Sequence, residues 1–526
     1  MAIPIIDIFA GPGGLGEGFS ALQDDRGERV FKIVLSIEKD KHAHETLTLR
    51  SFFRQFKPGG APDDYYEFVK GKIELEELYK RWPAQATAAR SEAWLANLGN
   101  KKRSTSHEKV DERIKTALGG KKDWLLIGGP PCQAYSVIGR VRKKRKTLNE
   151  KKDERVGLYK QYLRILALHN PSVFIMENVK GLLTAKTKES PVFEKIMKDL
   201  ADPVSAFHAD FDQNGQVLKC PGYEIYSLVK KKSKGKRKIV LLPKDYLIKS
   251  EDYGIPQTRH RVILLGIRKD INHVPSTLKK QERISVSKVI SGLPRVRSQI
   301  SRTKDNAEKW RDAILAITEN GELKGCARNV KSVIKMQATQ VSLPHNGIGK
   351  EYIVDENQKI DYGDGWYLDE KLKGVCNHKA RSHMKSDLHR YLFVACFAQV
   401  KKRSPTLEDF PPALLPAHKN VHDDDGNITR KFADRFKVQL RGKPSKTITS
   451  HISQDGHYYI HYDPTQCRSF TVREAARIQT FPDNYFFCGP RTSQFVQVGN
   501  AVPPLLANRI ATIVLGVFDK MKMPAK

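Results

Sequence analysis

The chain opens with a short apolar run that ends directly in a glycine-rich turn. Residues 3–9 are largely apolar, Gly11-Pro12-Gly13-Gly14-Leu15-Gly16 follows, and a second apolar run over residues 32–37 ends at Glu38. Strand, glycine turn, helix and a second strand with an acidic end are typical of a doubly wound parallel sheet, whose ligands bind at the carboxyl ends of the strands. The pattern predicts an α/β fold with an adenosine-containing cofactor. NAD, a flavin and S-adenosylmethionine all remain possible.

Three later apolar runs predict further strands of the same sheet. They cover residues 124–127, 173–176 and 262–267, and each ends where polar residues or a turn begin. We expect those turns to form the functional site, because strand ends meet at one edge of such a sheet.

The remaining pattern predicts two domains and an arm. Residues 55–122 are less regular, but Thr105–Glu108 resembles a capping box that leads into a helix, which favours an inserted helical arm. The apolar pattern is irregular over residues 276–467, and an amphipathic helix follows at 503–518. We predict a first domain of residues 1–275 completed by 468–526, and a smaller second domain of residues 276–467.

The charge balance indicates a polyanionic partner. Among 526 residues there are 92 Lys and Arg and only 59 Asp and Glu, a formal net charge of +33. Hydrophobic residues make up 39% of the chain, enough to bury a core, so we expect the surplus on the surface of a folded body. Nucleic acid is the first candidate, since neutralising its phosphates releases counterions.

The cysteines and the hydropathy pattern indicate a cytoplasmic protein. Seven cysteines are scattered without a C-x-x-C pair, which argues against a disulfide framework. We find no apolar stretch near the roughly 18 residues of a membrane span and no signal peptide, so no membrane association is expected.

One histidine-rich segment needs a separate interpretation. Cys376, His378, His383 and His389 could suggest zinc, but their spacing matches no standard site, and no metal is predicted. We expect instead a helix that directs Arg381, Lys385 and Arg390 at phosphates.

Three turns carry residues suited to chemistry. Gly128-Gly129-Pro130-Pro131 fixes the backbone before Cys132, so this cysteine is a candidate nucleophile. Glu177 ends the next predicted strand, and Arg259 and Arg261 precede the strand after it.

At these residues the chain resembles the DNA cytosine 5-methyltransferase family, of the bacterial restriction-modification type. The resemblance rests on six blocks in the family's order, which leave residues 276–445 unmatched. The blocks are Phe9-Ala10-Gly11 with the glycine turn; Pro131-Cys132-Gln133; Glu177-Asn178-Val179; Gln257-x-Arg259-x-Arg261; Arg473-Glu474-Ala475-Ala476-Arg477 with Phe481-Pro482-Asp483; and Gln497-x-Gly499-Asn500-Ala501-Val502-Pro503-Pro504.

The resemblance implies the fold and the chemistry. The first domain is then a Rossmann-like methyltransferase domain, and the second is a target-recognition domain. Cys132 adds to carbon 6 of a flipped-out cytosine, and Glu177 and Arg261 stabilise the charge that forms on the ring. Arg259 supports this loop, while Asn178 and Gln133 orient the base and the backbone.

The resemblance also implies binding residues for S-adenosylmethionine, the cofactor, and for double-stranded DNA. The cofactor residues are Phe9, Gly11, Pro12, Gly13, Glu38, Pro130, Asn500 and Val502. The DNA residues are Ser136, Arg140, Arg142, Lys143 and Thr449. The chain departs from the family at one position. The family usually has an Asp that contacts the adenine, whereas the most similar segment here, Gly71-Lys72-Ile73, has Lys72 in its place. We expect a monomer, with a cognate restriction endonuclease acting separately.

Two alternatives remain at this point, and a third is discarded. A tRNA-directed relative shares these motifs, but it usually has a Pro-Pro-Cys-Gln-Pro-Phe-Thr loop, whereas this chain has Ala134-Tyr135-Ser136 after Gln133. A catalytically silent DNA-binding protein would not require Cys132, Glu177 and Arg261. An NAD-linked oxidoreductase explains only the glycine turn.

Overall fold

In the computed structural model of the chain, the opening strands and helices follow the predicted order. The structure describes residues 2–99, 104–131, 154–186, 191–210, 218–231, 240–319, 321–417 and 433–522, together with Val421 and Ile428. The elements up to residue 128 are β1 (Ile3–Ile8), α1 (Gly14–Ser20), β2 (Phe31–Glu38), α2 (Lys41–Arg54), α3 (Asp63–Val69), α4 (Leu75–Arg81), α5 (Pro83–Glu92), β3 (Ala93–Leu95), α6 (His107–Leu118) and β4 (Leu125–Gly128).

The next part of the chain completes the sheet. Its elements are α7 (Glu154–His169), β5 (Val173–Val179), α8 (Val192–Ala201), α9 (Pro203–Asp210), β6 (Tyr223–Ser227), β7 (Leu247–Lys249), β8 (Gln257–Thr258) and β9 (His260–Arg268). Within the described residues the sheet has the order β3-β2-β1-β4-β5-β9-β6, with β7 paired to β9. Strands β3 to β5 in this order are parallel, and β9 is antiparallel to β5. All five strands that the apolar runs predicted are present.

The middle of the chain is mostly helical. Its elements are α10 (Val286–Ile290), β10 (Gln299–Ile300), α11 (Ala307–Leu315), α12 (Arg328–Thr339), β11 (Tyr352–Val354), α13 (Asp364–Tyr367), β12 (Gly374–Cys376), β13 (Ser382–His383), α14 (Lys385–Lys401) and β14 (Ser445–Lys446). A separate apolar core forms between α11, α12 and α14, around Trp310, Ile334 and Leu392.

The C-terminal helices return to the first strands. They are α15 (Val472–Ile478), α16 (Arg491–Asn500) and α17 (Pro504–Lys522). Leu506, Ile510 and Val514 of α17 share one apolar core with residues of β1 and α1, and Asn508 Nδ2 donates to the Gly18 carbonyl over 3.0 Å. The start of α17 therefore lies beside the glycine turn and α1.

One segment is more apolar than expected. Arg491–Lys522 is long and apolar enough, by length and composition, to match a membrane span, which corrects the sequence expectation that no stretch comes close. Of its most apolar window, 67% is buried inside the protein. That burial is what a core helix shows, and α17 is packed on the sheet.

Two details of the predicted arm differ from expectation. Residues 93–95, within the predicted arm, form β3, which pairs with β2 at the edge of the sheet. Helix α6 is capped by Ser106, whose side chain accepts from the Lys109 backbone, so the N-cap lies one residue after Thr105. The buried residues of α6 are the expected Val110, Ile114 and Leu118.

Candidate functional site

The glycine turn and Glu38 lie together at the carboxyl edge of the sheet. Phe9, Gly11 and Gly13 adopt positive φ values of 57°, 58° and 90°, so the chain reverses sharply between β1 and α1. The Gly11 backbone N–H donates to Glu38 Oε2 over 2.8 Å. A Cβ added to Gly11 would have no atom within 4 Å, so this face of the turn is open.

The C-terminal block lines the other side of the turn. A Cβ added to Gly14 would lie 2.3 Å from the Val502 carbonyl oxygen, which shows how closely the two backbones approach. Asn500 is exposed at the end of α16, and the Tyr485 hydroxyl donates to the Pro12 carbonyl. The structure thus brings together seven of the eight residues assigned to the cofactor: Phe9, Gly11, Pro12, Gly13, Glu38, Asn500 and Val502.

Lys72 does not lie at this edge. It is exposed in the turn after α3, where its backbone N–H donates to the Glu67 carbonyl. The strand beside β2 is β3, which ends at Leu95 opposite Glu38, and half-buried Asn97 follows two residues later. Asn97 could not be assigned to a strand end from the sequence, because β3 has only three residues. The available signal was the apolar stretch Ala93–Leu98, which stops at Gly99.

The turn before Cys132 lies beside Glu177. Strand β4 pairs in parallel with β5, so Gly129 and Pro130 follow β4 next to the end of β5. A Cβ added to Gly129 would lie 3.0 Å from Glu177 Oε2. Cys132, Gln133, Ser136, Arg140, Arg142 and Lys143 lie outside the described residues.

Glu177 and Arg261 form an ion pair at the strand ends. Arg261 Nε lies 2.8 Å from Glu177 Oε1, and the side chains are 15% and 14% exposed, respectively. Antiparallel pairing of β5 with β9 places Val179 opposite Arg261, which brings the two charges to the same edge. An acid and a cation are therefore held within reach of one ligand, in a sheltered but accessible position.

Asn178 and Arg259 contact the protein rather than open space. Buried Asn178 donates from Nδ2 to the Pro130 carbonyl over 3.5 Å and accepts from the Val179 N–H over 2.8 Å. Arg259 is 1% exposed and donates through Nη1 to the Ile448 carbonyl at 2.6 Å, and through both Nη atoms to the Gly499 carbonyl at 3.2 Å. Burial lowers the pKa of Arg259 well below its usual value. These contacts hold both side chains against neighbouring backbone.

Thr449 is fixed where the middle region meets the C-terminal block. Its Oγ1 lies 2.8 Å from the Tyr459 hydroxyl, which also accepts from the Thr449 backbone N–H. A Cβ on Gly499 would lie 2.3 Å from the Thr449 carbonyl carbon. Arg259, Gly499 and Thr449 are thus packed together.

The histidine-rich segment is structural. Within the described ranges no group of three or more His, Cys, Asp or Glu side chains could hold a metal ion. His378 contacts Thr471 and the Pro294 carbonyl, and burial lowers its pKa to about 4. The expectation that Arg381 and Arg390 reach phosphates is wrong. Arg381 is buried and donates to the Ile452 and Gln454 carbonyls, and Arg390 donates to the Leu414 carbonyl and Asp387.

Comparisons with known proteins agree with this geometry. The C-5 cytosine-specific DNA methylase family matches residues 88–208 and 244–515. The type II methyltransferase M.Bpa9945I of Bacillus paralicheniformis is 31% identical, covering 98% of this chain and 99% of its own.

Two more distant relatives are similar over most of the chain. M.DdeI of Desulfomicrobium norvegicum, also a type II methyltransferase, is 25% identical over 99% of this chain and 90% of its own. The DNA (cytosine-5-)-methyltransferase M.ApeKI of Aeropyrum pernix is 26% identical over 77% of this chain and 83% of its own. With both the sheet-edge geometry and these matches in place, the chain belongs to the C-5 cytosine-specific DNA methylase family and is a DNA cytosine 5-methyltransferase.

Proposed function

We propose that this enzyme transfers a methyl group from S-adenosylmethionine to carbon 5 of a cytosine flipped out of duplex DNA, within a specific short sequence. The observation that carries the proposal is the Glu177–Arg261 pair at the sheet edge, beside the turn that leads into Cys132. A cytosine ring needs an acid at its ring nitrogen and a cation at its carbonyl if a nucleophile is to add to it.

The cofactor proposal rests on the open glycine turn. Gly11 has room on the side where a Cβ would point, and Glu38 ends the neighbouring strand, where it can accept hydrogen bonds from ribose hydroxyls. Asn97 is our candidate for the adenine amino group, because its position follows the next strand of the same edge. The remaining contacts are assigned to Phe9, Pro12, Gly13, Pro130, Asn500 and Val502. When bound, S-adenosylmethionine supplies an electrophilic methyl group.

The chemical steps are assigned to three residues, and two more orient the substrate. The Cys132 thiolate forms a bond to carbon 6, which converts carbon 5 into an enamine carbon that would take the methyl group with S-adenosylhomocysteine as the leaving group. Glu177 is assigned to the ring nitrogen, and Arg261 donates to the carbonyl oxygen, so the added electron pair is stabilised. Loss of the carbon 5 proton to a base and cleavage of the carbon 6–sulfur bond then restore the aromatic ring and the thiolate. Gln133 and Asn178 orient the base and the backbone.

DNA binding is assigned to the cleft between the two proposed domains. Residues 1–275 with 468–526 form the catalytic domain, residues 276–467 form the target-recognition domain, and residues 55–122 form the arm. Ser136, Arg140, Arg142 and Lys143 contact the DNA from the loop after Cys132, and Thr449 contacts the backbone of the flipped nucleotide. Flipping costs a few kcal/mol, which contacts to the extruded base offset.

The biological setting is inferred from the relatives. Two of the relatives described above are named type II methyltransferases, and we assign this enzyme to a restriction-modification system, with a separate endonuclease of the same specificity. We assign it to the bacterial cytoplasm as a monomer, because the two strands of a symmetric target can be methylated in separate events.

Bisulfite sequencing tests the proposal directly. The protein is expressed in a host that lacks cytosine methylation, and 5-methylcytosine is mapped across the host genome. We expect methylation confined to one short motif, and none with Cys132→Ser, which keeps the fold but removes the thiolate. An unmethylated genome in cells containing soluble wild-type protein that binds S-adenosylmethionine would contradict the proposed DNA substrate. Full methylation by Cys132→Ser would contradict the covalent mechanism.

A further inference from the structure

Tyr485 connects the C-terminal block to the glycine turn. The residue lies between α15 and α16, is fully buried, and donates its hydroxyl proton to the Pro12 carbonyl. A Cβ added to Gly13 would lie 3.1 Å from the same hydroxyl oxygen. One side chain from the far end of the sequence therefore contacts two successive residues of the turn.

The Tyr485 ring has little freedom to move. The Phe481 ring lies 4.8 Å away and the Phe487 ring 5.4 Å away, both between centroids. The Arg50 guanidinium carbon lies 4.8 Å from the Tyr485 ring centroid, and Arg473 Nη2 donates to the Tyr485 carbonyl over 2.7 Å. These ring and guanidinium contacts fix the position of the Tyr485 hydroxyl.

Arg50 extends the same connection to the helix after the turn. Its Nε donates to Glu17 Oε2 on α1 over 2.8 Å, and its Nη1 donates to Asn484 Oδ1 over 2.9 Å. The dipeptide Asn484-Tyr485 therefore reaches the turn through the tyrosine hydroxyl and reaches α1 through Arg50.

The turn needs such support because its backbone is irregular. Two of its residues, Gly11 and Gly13, lie in the left-handed region, which offers no regular ladder of hydrogen bonds. Glu38 accepts from the Gly11 N–H on one side, and Tyr485 donates to the Pro12 carbonyl on the other. The two contacts hold the peptide groups before Gly11 and after Pro12, on either side of the Gly11–Pro12 peptide.

We propose that Tyr485 is a positioning residue that fixes the glycine turn in the conformation that binds the cofactor. The identity of that cofactor, S-adenosylmethionine, rests on the proposed function. Removing the hydroxyl leaves the Pro12 carbonyl without this donor, so the turn samples other conformations and the bound one is less populated.

The test is the affinity of Tyr485→Phe for S-adenosylmethionine, measured by isothermal titration calorimetry. We expect the Kd to rise about tenfold, the effect of losing one buried hydrogen bond. The KM for S-adenosylmethionine should rise in parallel, while kcat at saturating cofactor and the KM for DNA stay at wild-type values. This split distinguishes a positioned turn from a general loss of folded protein.

Tyr367→Phe is the matched control. Tyr367 is also fully buried in the same apolar cluster, and its hydroxyl donates to the Arg477 carbonyl over 3.0 Å, away from the turn. Both variants should lose similar stability, but only Tyr485→Phe should lose cofactor affinity. Wild-type affinity in Tyr485→Phe, or an equal loss in both variants, would overturn the proposal.

A second variant decides the question if Tyr485→Phe does not fold. Asn484→Ser is a milder change at a half-buried residue, and it removes the acceptor for Arg50 Nη1. We expect its Kd for S-adenosylmethionine to rise about threefold, less than for the direct contact. An unchanged Kd would count against the proposal. Failure of the wild-type protein to bind S-adenosylmethionine would instead contradict the proposed cofactor.

Discussion

Gly14→Ala tests whether the segment that leads into α17 packs closely against α1. An alanine Cβ at this position would lie 2.3 Å from the Val502 carbonyl oxygen and 3.2 Å from the Ala501 Cβ. The first distance is about 1 Å shorter than a normal carbon–oxygen contact, and the obstructing atom belongs to the backbone. The start of α1 and the segment before α17 must therefore move apart, and this disturbs the core that β1 and α17 share.

The magnitude follows from two opposing effects. Overpacking of a close contact costs about 1–3 kcal/mol, and the upper part of that range applies because a backbone cannot rotate away. Replacing glycine by alanine in a helix returns up to about 1 kcal/mol. We expect a net loss of about 2 kcal/mol in the free energy of unfolding, and weaker cofactor binding because Val502 and Asn500 move.

Urea unfolding followed by tryptophan fluorescence measures the change. Gly516→Ala is the control, because Gly516 is exposed in α17 and an added Cβ would have no atom within 4 Å. This variant should be as stable as wild type or up to about 1 kcal/mol more stable. Wild-type stability in Gly14→Ala, or an equal loss in Gly516→Ala, would refute the close packing of α1 and the start of α17.

Two further predictions concern buried charges. Burial raises the pKa of the Asp7 carboxyl to about 8, so the native state keeps a proton that the unfolded state loses near pH 4. The free energy of unfolding should therefore fall as pH rises from about 4 to about 8. Asp7→Asn, measured by urea unfolding, should lack this decline. Parallel pH slopes for the two proteins would contradict this assignment. Arg259→Lys should lose about 2 kcal/mol in the free energy of unfolding, since one ammonium group cannot reproduce the planar contacts with the Ile448 and Gly499 carbonyls. An unchanged midpoint of urea unfolding would contradict a stabilising role for these contacts.

The sheet could be predicted from the sequence because its strands are buried on both faces. Such strands appear as nearly continuous apolar runs, and the turns after them stand out by their glycines and polar residues. Strand β1 has every residue buried. The pairing of Glu177 with Arg261 follows from the same regularity, once their strands are neighbours.

The third strand escaped prediction for a physical reason. Its three residues follow α5 without a loop, and only pairing with β2 identifies them as a strand. A pattern of three residues has no measurable period. Asn97, our candidate for the adenine contact, follows this short strand, whereas Lys72 resembles the family motif only in its neighbouring residues, Gly71 and Ile73.

The middle region escaped prediction because its charged residues are buried. Arg381 and Arg390 lie in a segment whose helix α14 is buried over Asp387–Phe397, so no polar face marks the exposed side. Their partners are carbonyls of residues 452, 454 and 414, which are distant in sequence. The spacing of residues in the sequence cannot reveal such distant acceptors, so a buried arginine looks in the sequence like an arginine on the surface.

Not all of the positive charge lies on the surface, because several arginines are buried. The sequence suggested that the surplus lies on the surface, yet Arg259, Arg468, Arg473 and Arg477 are among the largest fully buried side chains of the described residues. Arg468 pairs with Glu474 and Arg477 with Asp483, so these two cations add no net charge to the interior.

Arg473 and Arg259 act differently, as cross-links between backbone segments. Arg473 donates to the carbonyls of Cys376, Pro482 and Tyr485, and Arg259 donates to those of Ile448 and Gly499. A guanidinium group suits this role because its five donors lie in one rigid plane. The family motifs around these arginines thus hold the segments that surround the glycine turn and the strand end. Of the two arginines in the Gln257-x-Arg259-x-Arg261 block, only Arg261 remains partly accessible, next to Glu177, and this is why the proposed chemistry is assigned to it.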